Sequence, residues 1–351
     1  MMRLMFVHWV VEDRGSPQDI YNYTQVASEL GHEVALYGPP NSTATFNYSL
    51  DMESADAVIF LFEWTTLLRH GDNLDFLRLV GKVPRERRVV IDLDGKYNDA
   101  ISVVGDYNHS DSEASRAWIE VCDSLSDKIF QATLHPLRPN VHPFLFHAYN
   151  PAWERPLDFR AKEYGMYCVG NNWFRWRPMH RVLRAIEPIR EQVGRIGLVG
   201  HGWNSPAPWT HPSLREDAYY TDPEYLAKLG VEVMSPIHFH QVIESMGNGI
   251  FTPVIYRPVF DHLRMVTCRT FETPAASTIP LFCQDAGYIE EIYGEEAVEL
   301  VLPEEQPQEK ILDLLRTPER YAAIVAAMRQ RLAEKHSYAS RLRELIRIVE
   351  S

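Results

Sequence analysis

The chain has 351 residues and a formal net charge of -13. This length exceeds what one hydrophobic core usually serves, so two domains are expected. The acidic balance repels phosphate backbones, which disfavours nucleic acid as an electrostatically held partner, although a local basic groove is compatible with it. The four cysteines form no CxxC pair. They therefore predict reduced, buried thiols and a cytoplasmic protein rather than a zinc site.

Strands and helices alternate along the first 140 residues. The apolar start LMFVHWVV predicts a buried strand and not a signal peptide, because it lacks a small-residue cleavage site. No stretch reaches the roughly 20 apolar residues of a membrane span. A helix is predicted over 16–31, with Ser16 at the N-cap and Pro17 at the first helical position. Further strands are predicted at 32–38, 55–62, 87–94 and 127–133, with helical stretches near 72–82 and 111–125.

The pattern is interrupted between 135 and 158, where five prolines and little periodicity predict a connection between domains. The alternation of strands and helices then restarts. Near-continuous apolar strands separated by helices imply parallel sheets covered on both faces, so the predicted fold class is α/β with two Rossmann-like doubly wound domains facing across a cleft. Strands are predicted at 164–170, 195–200, 231–235, 249–256, 278–283 and 297–302, and helices at 178–193, 238–247, from about 267, and at 307–316, 318–335 and 337–350.

Ligands of such sheets bind outside the carboxyl ends of the strands, so the loops there are the candidate sites. The loop in CVGNNWFRWRPMHR begins at Gly170 and Asn171 and leads into a helix, whose N-terminus suits a phosphate group. Arg175 and Arg177 add forked donors for a diphosphate. The alternative is a surface loop whose tryptophans pack on the neighbouring domain. The chain has no GxGxxG or P-loop pattern, so neither a dinucleotide site nor a P-loop is indicated.

A second loop, in VGHGWNSPAPW, follows the strand predicted at 195–200. Gly200 allows a ligand to approach the backbone, and Trp203 offers a face on which a ring could stack. A loop that merely turns the chain explains the same residues equally well.

A third candidate is the helix start TCRTFETPAAS. Arg269 and Glu272 are three residues apart and share one face of a helix. Glu272 is either an acid paired with the helix dipole and with Arg269, or a carboxylate that accepts two hydroxyls of a ribose or sugar. The small residues that follow favour a ligand, since bulky side chains there would block it.

In the first domain, polar residues again follow the strands. Asp92 and Asp94 form a DxD in IDLDGKYND, which carries a divalent metal in some proteins and makes a turn in others. Their place at a strand end makes acceptor binding a second possibility. His8 follows the first strand and is either a general base or a packed core histidine. We list His8, Asp92 and Asp94 as the candidate catalytic residues.

Several ordered pieces of the second half together resemble the CgeB-like group of glycosyltransferases, related to the group-1 families of the GT-B fold. They are FLFHAYNPAWERP, YGMYCVGNNWFRWRPMHRVL, CRTFETPAASTIPLF with its R-x-F-E-x-x-A signature, and the tail with H-S-Y-x-x-R. The resemblance covers roughly 140–350. It implies an acceptor-side domain at 1–140, a donor domain at 141–336, and a terminal helix at 337–351 that crosses back to the first domain.

The resemblance also implies a function. It is transfer of a sugar from a UDP- or GDP-sugar to an unknown acceptor, with Glu272 on the ribose, Arg175 or Arg177 on the phosphates, and no requirement for metal. Many group-1 enzymes carry a second glutamate eight residues before the ribose glutamate, but Arg264 stands there in this chain. The stereochemical outcome therefore stays open. The alternative function is a non-catalytic relative that binds a nucleotide-sugar or glycan within a surface-assembly complex.

Overall fold

A computed structural model of the chain describes residues 1–8, 15–38, 46–63, 78–79, 81–98, 119–120, 123–205 and 220–351. Contacts divide the chain into two compact units. The first unit comprises Met1–Ala148, His262–Cys268 and His336–Ser351, and the second comprises Tyr149–Asp261 and Arg269–Lys335.

The first unit is built on a seven-stranded parallel sheet. Its strands are β1 (Arg3–Val7), β2 (Glu33–Tyr37), β3 (Tyr48–Ser49), β4 (Ala57–Phe62), β5 (Arg88–Asp92), β6 (Lys128–Gln131) and β7 (His142–Pro143). Their order in the sheet is β3-β2-β1-β4-β5-β6-β7. All six residues of β4 are buried, as expected for a central strand covered on both faces. Helix α1 (Gly15–Glu29) follows β1.

The second unit holds a five-stranded parallel sheet. Its strands are β8 (Tyr164–Val169), β9 (Ile196–Val199), β10 (Val231–Met234), β11 (Gly249–Val254) and β12 (Ile279–Phe282), in the order β10-β9-β8-β11-β12. The helices from here to the chain end are α2 (Trp176–Ile186), α3 (Arg190–Val193), α4 (Pro223–Lys228), α5 (Val242–Met246), α6 (Pro258–His262), α7 (Cys268–Ala275), α8 (Ala286–Tyr293), α9 (Pro307–Arg316), α10 (Pro318–Lys335) and α11 (Tyr338–Glu350).

The predicted architecture of two doubly wound parallel-sheet units is confirmed, and most element bounds agree to within a few residues. The strand predicted at 297–302 is wrong. A 3-10 helix occupies Glu295–Leu300, and only an isolated bridge joins Val301 to Phe282 of β12. The apolar residues of this segment, Ala297 and Leu300, are buried without extending the sheet. A short apolar run looks the same in the sequence whether it forms a strand or a buried helical turn. The helices predicted near 72–82 and 111–125 lie mostly outside the described residues.

Both sheets reverse their strand order at one point. In the first unit the reversal lies between β1 and β4, and in the second it lies between β8 and β11. At such a point the connections leave the sheet in opposite directions, which opens a crevice at the carboxyl ends of the two strands. The sheet topology therefore marks one candidate binding position in each unit.

The terminal helix α11 packs within the first unit through a buried carboxylate. Asp19 of α1 accepts a hydrogen bond of 2.5 Å from the hydroxyl of Tyr338 and lies 2.7 Å from Nδ1 of His147. The ring of Tyr338 also meets Tyr23 edge to face at 5.3 Å. These contacts give the tyrosine of the H-S-Y-x-x-R tail a structural role.

The C-terminal end of helix α7 is held by one buried arginine from α10. Arg329 donates from Nε to the carbonyl of Pro274 at 2.7 Å, and from Nη2 to the carbonyls of Ala275 and Ala276 at 3.2 and 2.9 Å. Its Nη1 donates to the carbonyl of Arg155 at 2.8 Å. A helix leaves its last carbonyls without intrahelical donors, so this guanidinium completes the end of α7.

We expect Arg329→Met to lower the free energy of unfolding of the second unit by about 3 kcal/mol, because a buried charged donor to four carbonyls is lost. The backbone N–H groups of Arg155 and Thr278 still donate to the carbonyls of Ala275 and Ala276. Arg320→Met is the matched control on the same helix. Arg320 makes exposed ion pairs to Glu299 and Asp313, and its loss should cost less than about 1 kcal/mol. Urea unfolding monitored by circular dichroism measures both values. Equal losses in the two variants would contradict a special role for Arg329.

Candidate functional site

A pocket that is partly open to solvent lies at the switch point of the second unit. Cys168, Val169 and Gly170 line it from the end of β8, and Arg175, Trp203 and Arg269 line it from the loops and helix nearby. Three sequence motifs that are far apart in the chain therefore meet in one cavity.

The two loops at the pocket are joined by hydrogen bonds. The indole Nε1 of Trp203 donates to the carbonyl of Gly170 at 2.8 Å, and the backbone N–H of His201 donates to Oδ1 of Asn171 at 2.9 Å. Gly200 has a φ of 138°, and a Cβ there would come within 2.5 Å of the Gly170 carbonyl oxygen. Glycine is thus required for the loops to approach each other. Asn171 and Trp203, predicted as ligand contacts, also hold the pocket wall together.

Of the two arginines predicted for phosphate, Arg175 lines the pocket, whereas Arg177 is exposed on the first turn of α2. Nη1 of Arg175 donates to the carbonyl of Asn171 at 2.8 Å, which fixes the guanidinium over the loop. Burial raises the pKa of the Cys168 thiol to about 11, and the positive charges of Arg269 and Arg175 oppose that shift. Both guanidinium groups therefore lie near the Cys168 thiol, which is itself part of the pocket wall.

Arg269 connects the pocket to Glu272. Its Nη1 lies 3.4 Å from Oε2 of Glu272, and a Cβ at Gly170 would lie 3.7 Å from its Nη2. The side chain of Arg269 is 21% exposed, and that of Glu272 is 1% exposed. Among the described residues, the pocket lining includes Arg269 but stops short of Glu272. The predicted pairing of the two residues on one helix face is present in the structure.

The side of the pocket formed by β11 is not predicted from the sequence. Thr252, Pro253 and Ile255, at the end of β11, line it across from β8. The hydroxyl of Thr252 donates to the backbone carbonyl of Tyr167 at 2.9 Å and so ties the two strands together. The strand was predicted, but its position beside β8 depends on the order of strands in the sheet, which periodicity does not report.

A pair of titratable groups lies at the switch point of the first unit. His8 directly follows β1 and Glu63 directly follows β4, and Nε2 of His8 lies 3.5 Å from Oε2 of Glu63. The hydroxyl of Ser16, in the first turn of α1, donates to Glu63. Glu63 was missed because it is a single acid after an apolar strand. The sequence feature that could have revealed Glu63 is its position directly after β4, the strand that pairs with β1.

Asp92 is fully buried and accepts four hydrogen bonds. Its Oδ1 accepts from the backbone N–H groups of Asp94 and Lys96, both at 3.1 Å. Its Oδ2 accepts from the N–H of Tyr97 at 2.8 Å and from Nε2 of Gln131 at 2.9 Å. Burial raises the pKa of Asp92, and the hydrogen bonds oppose that shift. The contacts favour a structural role in the loop after β5, and a catalytic role for Asp92 or the more exposed Asp94 stays a prediction.

The predicted site residues therefore fall into two groups. Gly170, Arg175, Trp203 and Arg269 line the pocket of the second unit, Asn171 and Gly200 support its loops, and Glu272 lies beside Arg269. His8, Asp92 and Asp94 belong to the first unit. Within the described ranges, no three His, Cys, Asp or Glu side chains are close enough together to hold a metal ion. No described helix has the length and apolar character needed to cross a bilayer.

Two doubly wound parallel-sheet units, with a cationic pocket at the strand ends of the second, are features expected of a GT-B fold. Residues 175–347, just under half of the chain, match a family model described as glycosyl transferase-like. The family match and the fold together support a glycosyltransferase. A search of curated proteins gives no match.

Solved structures resemble the chain over its whole length. The complex of T4 phage BGT with its UDP-glucose substrate has a TM-score of 0.59 at 13% identity, with 100% of both chains covered. The complex of T4 phage BGT with UDP and Mn²⁺ has the same values and coverage. An α-glucosyltransferase bound to UDP and a 13-mer DNA has a TM-score of 0.63 at 13% identity, again covering 100% of both chains. This likeness establishes the GT-B fold.

We expect Asp92→Asn to lower the free energy of unfolding of the first unit by about 2–4 kcal/mol, because an amide –NH₂ must face N–H donors that the carboxylate now accepts. Asp94→Asn, two residues away, should change it by less than about 0.5 kcal/mol. Urea unfolding of the two variants measures the difference. An Asp92→Asn protein as stable as the wild type would remove the structural explanation and favour the catalytic one.

Proposed function

We propose that this protein is a glycosyltransferase that moves a sugar from a nucleoside-diphosphate sugar, in first place a UDP-sugar, to an acceptor. The observation that carries the proposal is the meeting of Arg175 and Arg269 in one pocket at the switch point of the second sheet. Two fixed guanidinium groups match the charge and the forked geometry of a diphosphate. The UDP-glucose and UDP bound by the structural neighbours support the same choice.

The pocket offers a route to stabilise the leaving nucleoside diphosphate. Negative charge develops on it as the bond to the sugar breaks, and preorganised positive groups lower the energy of that state. Arg175 and Arg269 supply the charge, and the N-terminus of α2, which begins directly after Arg175, adds the positive end of a helix dipole. We propose that these groups suffice without a metal ion, although a neighbour has been studied with Mn²⁺.

For Glu272 we propose that the carboxylate accepts the ribose hydroxyls of the donor. The ion pair of Glu272 with Arg269 supports this role, because the ribose of the donor is joined directly to the diphosphate that we assign to Arg269. The alternative is that Glu272 orients Arg269 alone, which its 1% side-chain exposure also permits. These two roles predict different effects of removing the ribose hydroxyls.

On the acceptor side we propose His8 as the group that takes the acceptor proton. Imidazole exchanges protons near neutral pH, and a neighbouring carboxylate holds the ring and stabilises its protonated form. Glu63 supplies that carboxylate at 3.5 Å. In this proposal Glu63 is the positioning residue for His8, and Ser16 holds Glu63 in place.

We do not propose DNA as the acceptor of this protein. One of them is described as a DNA-modifying enzyme and another was solved with DNA. The present chain has a formal charge of -13, which opposes binding to a phosphate backbone. Within the glycosyltransferases we propose the CgeB-like group, supported by the R-x-F-E-x-x-A pattern from Arg269 to Ala275.

Isothermal titration with UDP, GDP, ADP and TDP tests the function. We expect one of them, UDP first, to bind without added metal. Arg175→Ala should weaken this binding about tenfold to a hundredfold, since a hydrogen bond to a charged group contributes about 1.5–3 kcal/mol. Arg177→Ala, the exposed neighbour on the same helix turn, should change it less than about threefold. A folded protein that binds none of the four nucleotides would overturn the proposal.

Removing the ribose hydroxyls tests Glu272. We expect the wild type to bind 2′,3′-dideoxy-UDP about tenfold more weakly than UDP, because a buried carboxylate loses its donors. Glu272→Gln, which keeps the size of the side chain but has no charge and one acceptor oxygen fewer, should reduce the difference in affinity between the two ligands. If Glu272→Gln weakens both ligands by the same factor and preserves the difference between them, the residue only orients Arg269.

A further inference from the structure

Three buried tyrosines surround the first turn of α7, the helix that carries Arg269 and Glu272. Tyr256 lies two residues beyond β11, and Tyr288 and Tyr293 lie on α8. All three belong to the second unit. Burying a hydroxyl without a partner is costly, so phenylalanine would serve a purely apolar contact better. The positions of the hydroxyls therefore indicate what the cluster does.

The phenol groups converge on Thr270, which is fully buried and directly follows Arg269. The hydroxyl of Tyr293 donates to the backbone carbonyl of Thr270 at 2.8 Å. The hydroxyl of Tyr256 lies 2.5 Å from Oγ1 of Thr270 and 3.4 Å from the hydroxyl of Tyr288. Both the main chain and the side chain of this one residue are thus held from outside the helix.

Pro274 explains why the carbonyl of Thr270 needs that donor. In an α-helix this carbonyl accepts from the N–H four residues later, and here that residue is Pro274, which has no N–H. The hydroxyl of Tyr293 supplies the missing hydrogen bond. Burial raises the pKa of Tyr293 well above its usual value, so the phenol keeps its proton and remains a donor at any working pH.

Because Thr270 is held in place, the backbone position of the preceding residue, Arg269, is also fixed. Arg269 has a long side chain that loses considerable rotamer freedom when it is ordered, and its reach into the pocket depends on the backbone of the first turn of α7. Stacking of Tyr293 on Phe282 of β12 at 4.8 Å anchors the phenol to the sheet. Successive contacts therefore connect β12 to Tyr293, Tyr293 to Thr270, and Thr270 to the backbone of Arg269.

We propose that Tyr293 and Tyr256 are positioning residues of the donor pocket, which act on the diphosphate through Thr270 and Arg269. This inference rests on the proposed function, since the ligand they serve is the nucleoside diphosphate. Their role is to preorganise Arg269, so that binding does not have to order it.

The test measures UDP affinity in Tyr293→Phe and Tyr256→Phe. Each should bind about fivefold more weakly than the wild type, the factor that corresponds to one lost hydrogen bond. Tyr321→Phe is the matched control. Tyr321 is also a buried tyrosine of the second unit, and its hydroxyl donates to Asp313 rather than to Thr270. This control should lose stability and keep its affinity for UDP.

Two further measurements separate positioning from general support. In an Arg269→Ala background, Tyr293→Phe should change the affinity less than about twofold, because the residue through which it acts is gone. Pro274→Ala restores the N–H that the Thr270 carbonyl lacks, so Tyr293→Phe combined with Pro274→Ala should regain most of the lost affinity.

The outcomes are distinguishable. A wild type that binds no nucleotide overturns the proposed function and this inference together. A wild type that binds UDP, with Tyr293→Phe and Tyr256→Phe that bind it equally well, overturns the inference alone. An equal loss from Tyr293→Phe with and without Arg269 also overturns it, since the tyrosine would then act on the whole unit.

Discussion

Helix α7 has only eight residues, contains a proline, and carries the two charged side chains Arg269 and Glu272 of the candidate site. So short a helix is not stable by its own hydrogen bonds, and Pro274 removes one of them. Side chains from elsewhere in the second unit replace what is missing. Tyr293 holds the Thr270 carbonyl in the first turn, and Arg329 holds the last carbonyls. The position of Arg269 depends on these contacts.

The sheet topology supplies the other constraint. In each unit the strand order reverses once, and polar groups gather where it does. In the second unit these are the arginines of a cationic pocket, and in the first unit they are His8 and Glu63. A donor that carries a diphosphate and an acceptor that must lose a proton require groups of these two kinds. In the function that we propose, the arginines of the second unit serve the donor, and His8 and Glu63 of the first unit serve the acceptor.

Two carboxylates that look alike in the sequence have different surroundings. Asp92 is the last residue of β5 and a predicted catalytic residue, yet four N–H donors bind its oxygens. Glu63 directly follows β4 and is not predicted as a site residue, yet it lies beside the imidazole of His8. A strand-end acid is a ligand holder or a loop organiser according to the donors that the folded chain places around it, and its sequence position does not reveal them.

The sequence by itself determined the fold class, the bounds of most strands and helices, and the three segments that form the second-unit pocket. Alternating apolar strands and amphipathic helices are local patterns, and a loop after a strand is readable from one stretch of chain. Tertiary structure alone decided that Arg175 rather than Arg177 faces the pocket, that Thr252 and Ile255 form its far wall, and that Tyr293 replaces the donor lost at Pro274. These relations join residues many positions apart, so they follow from strand order and packing, which local periodicity does not encode.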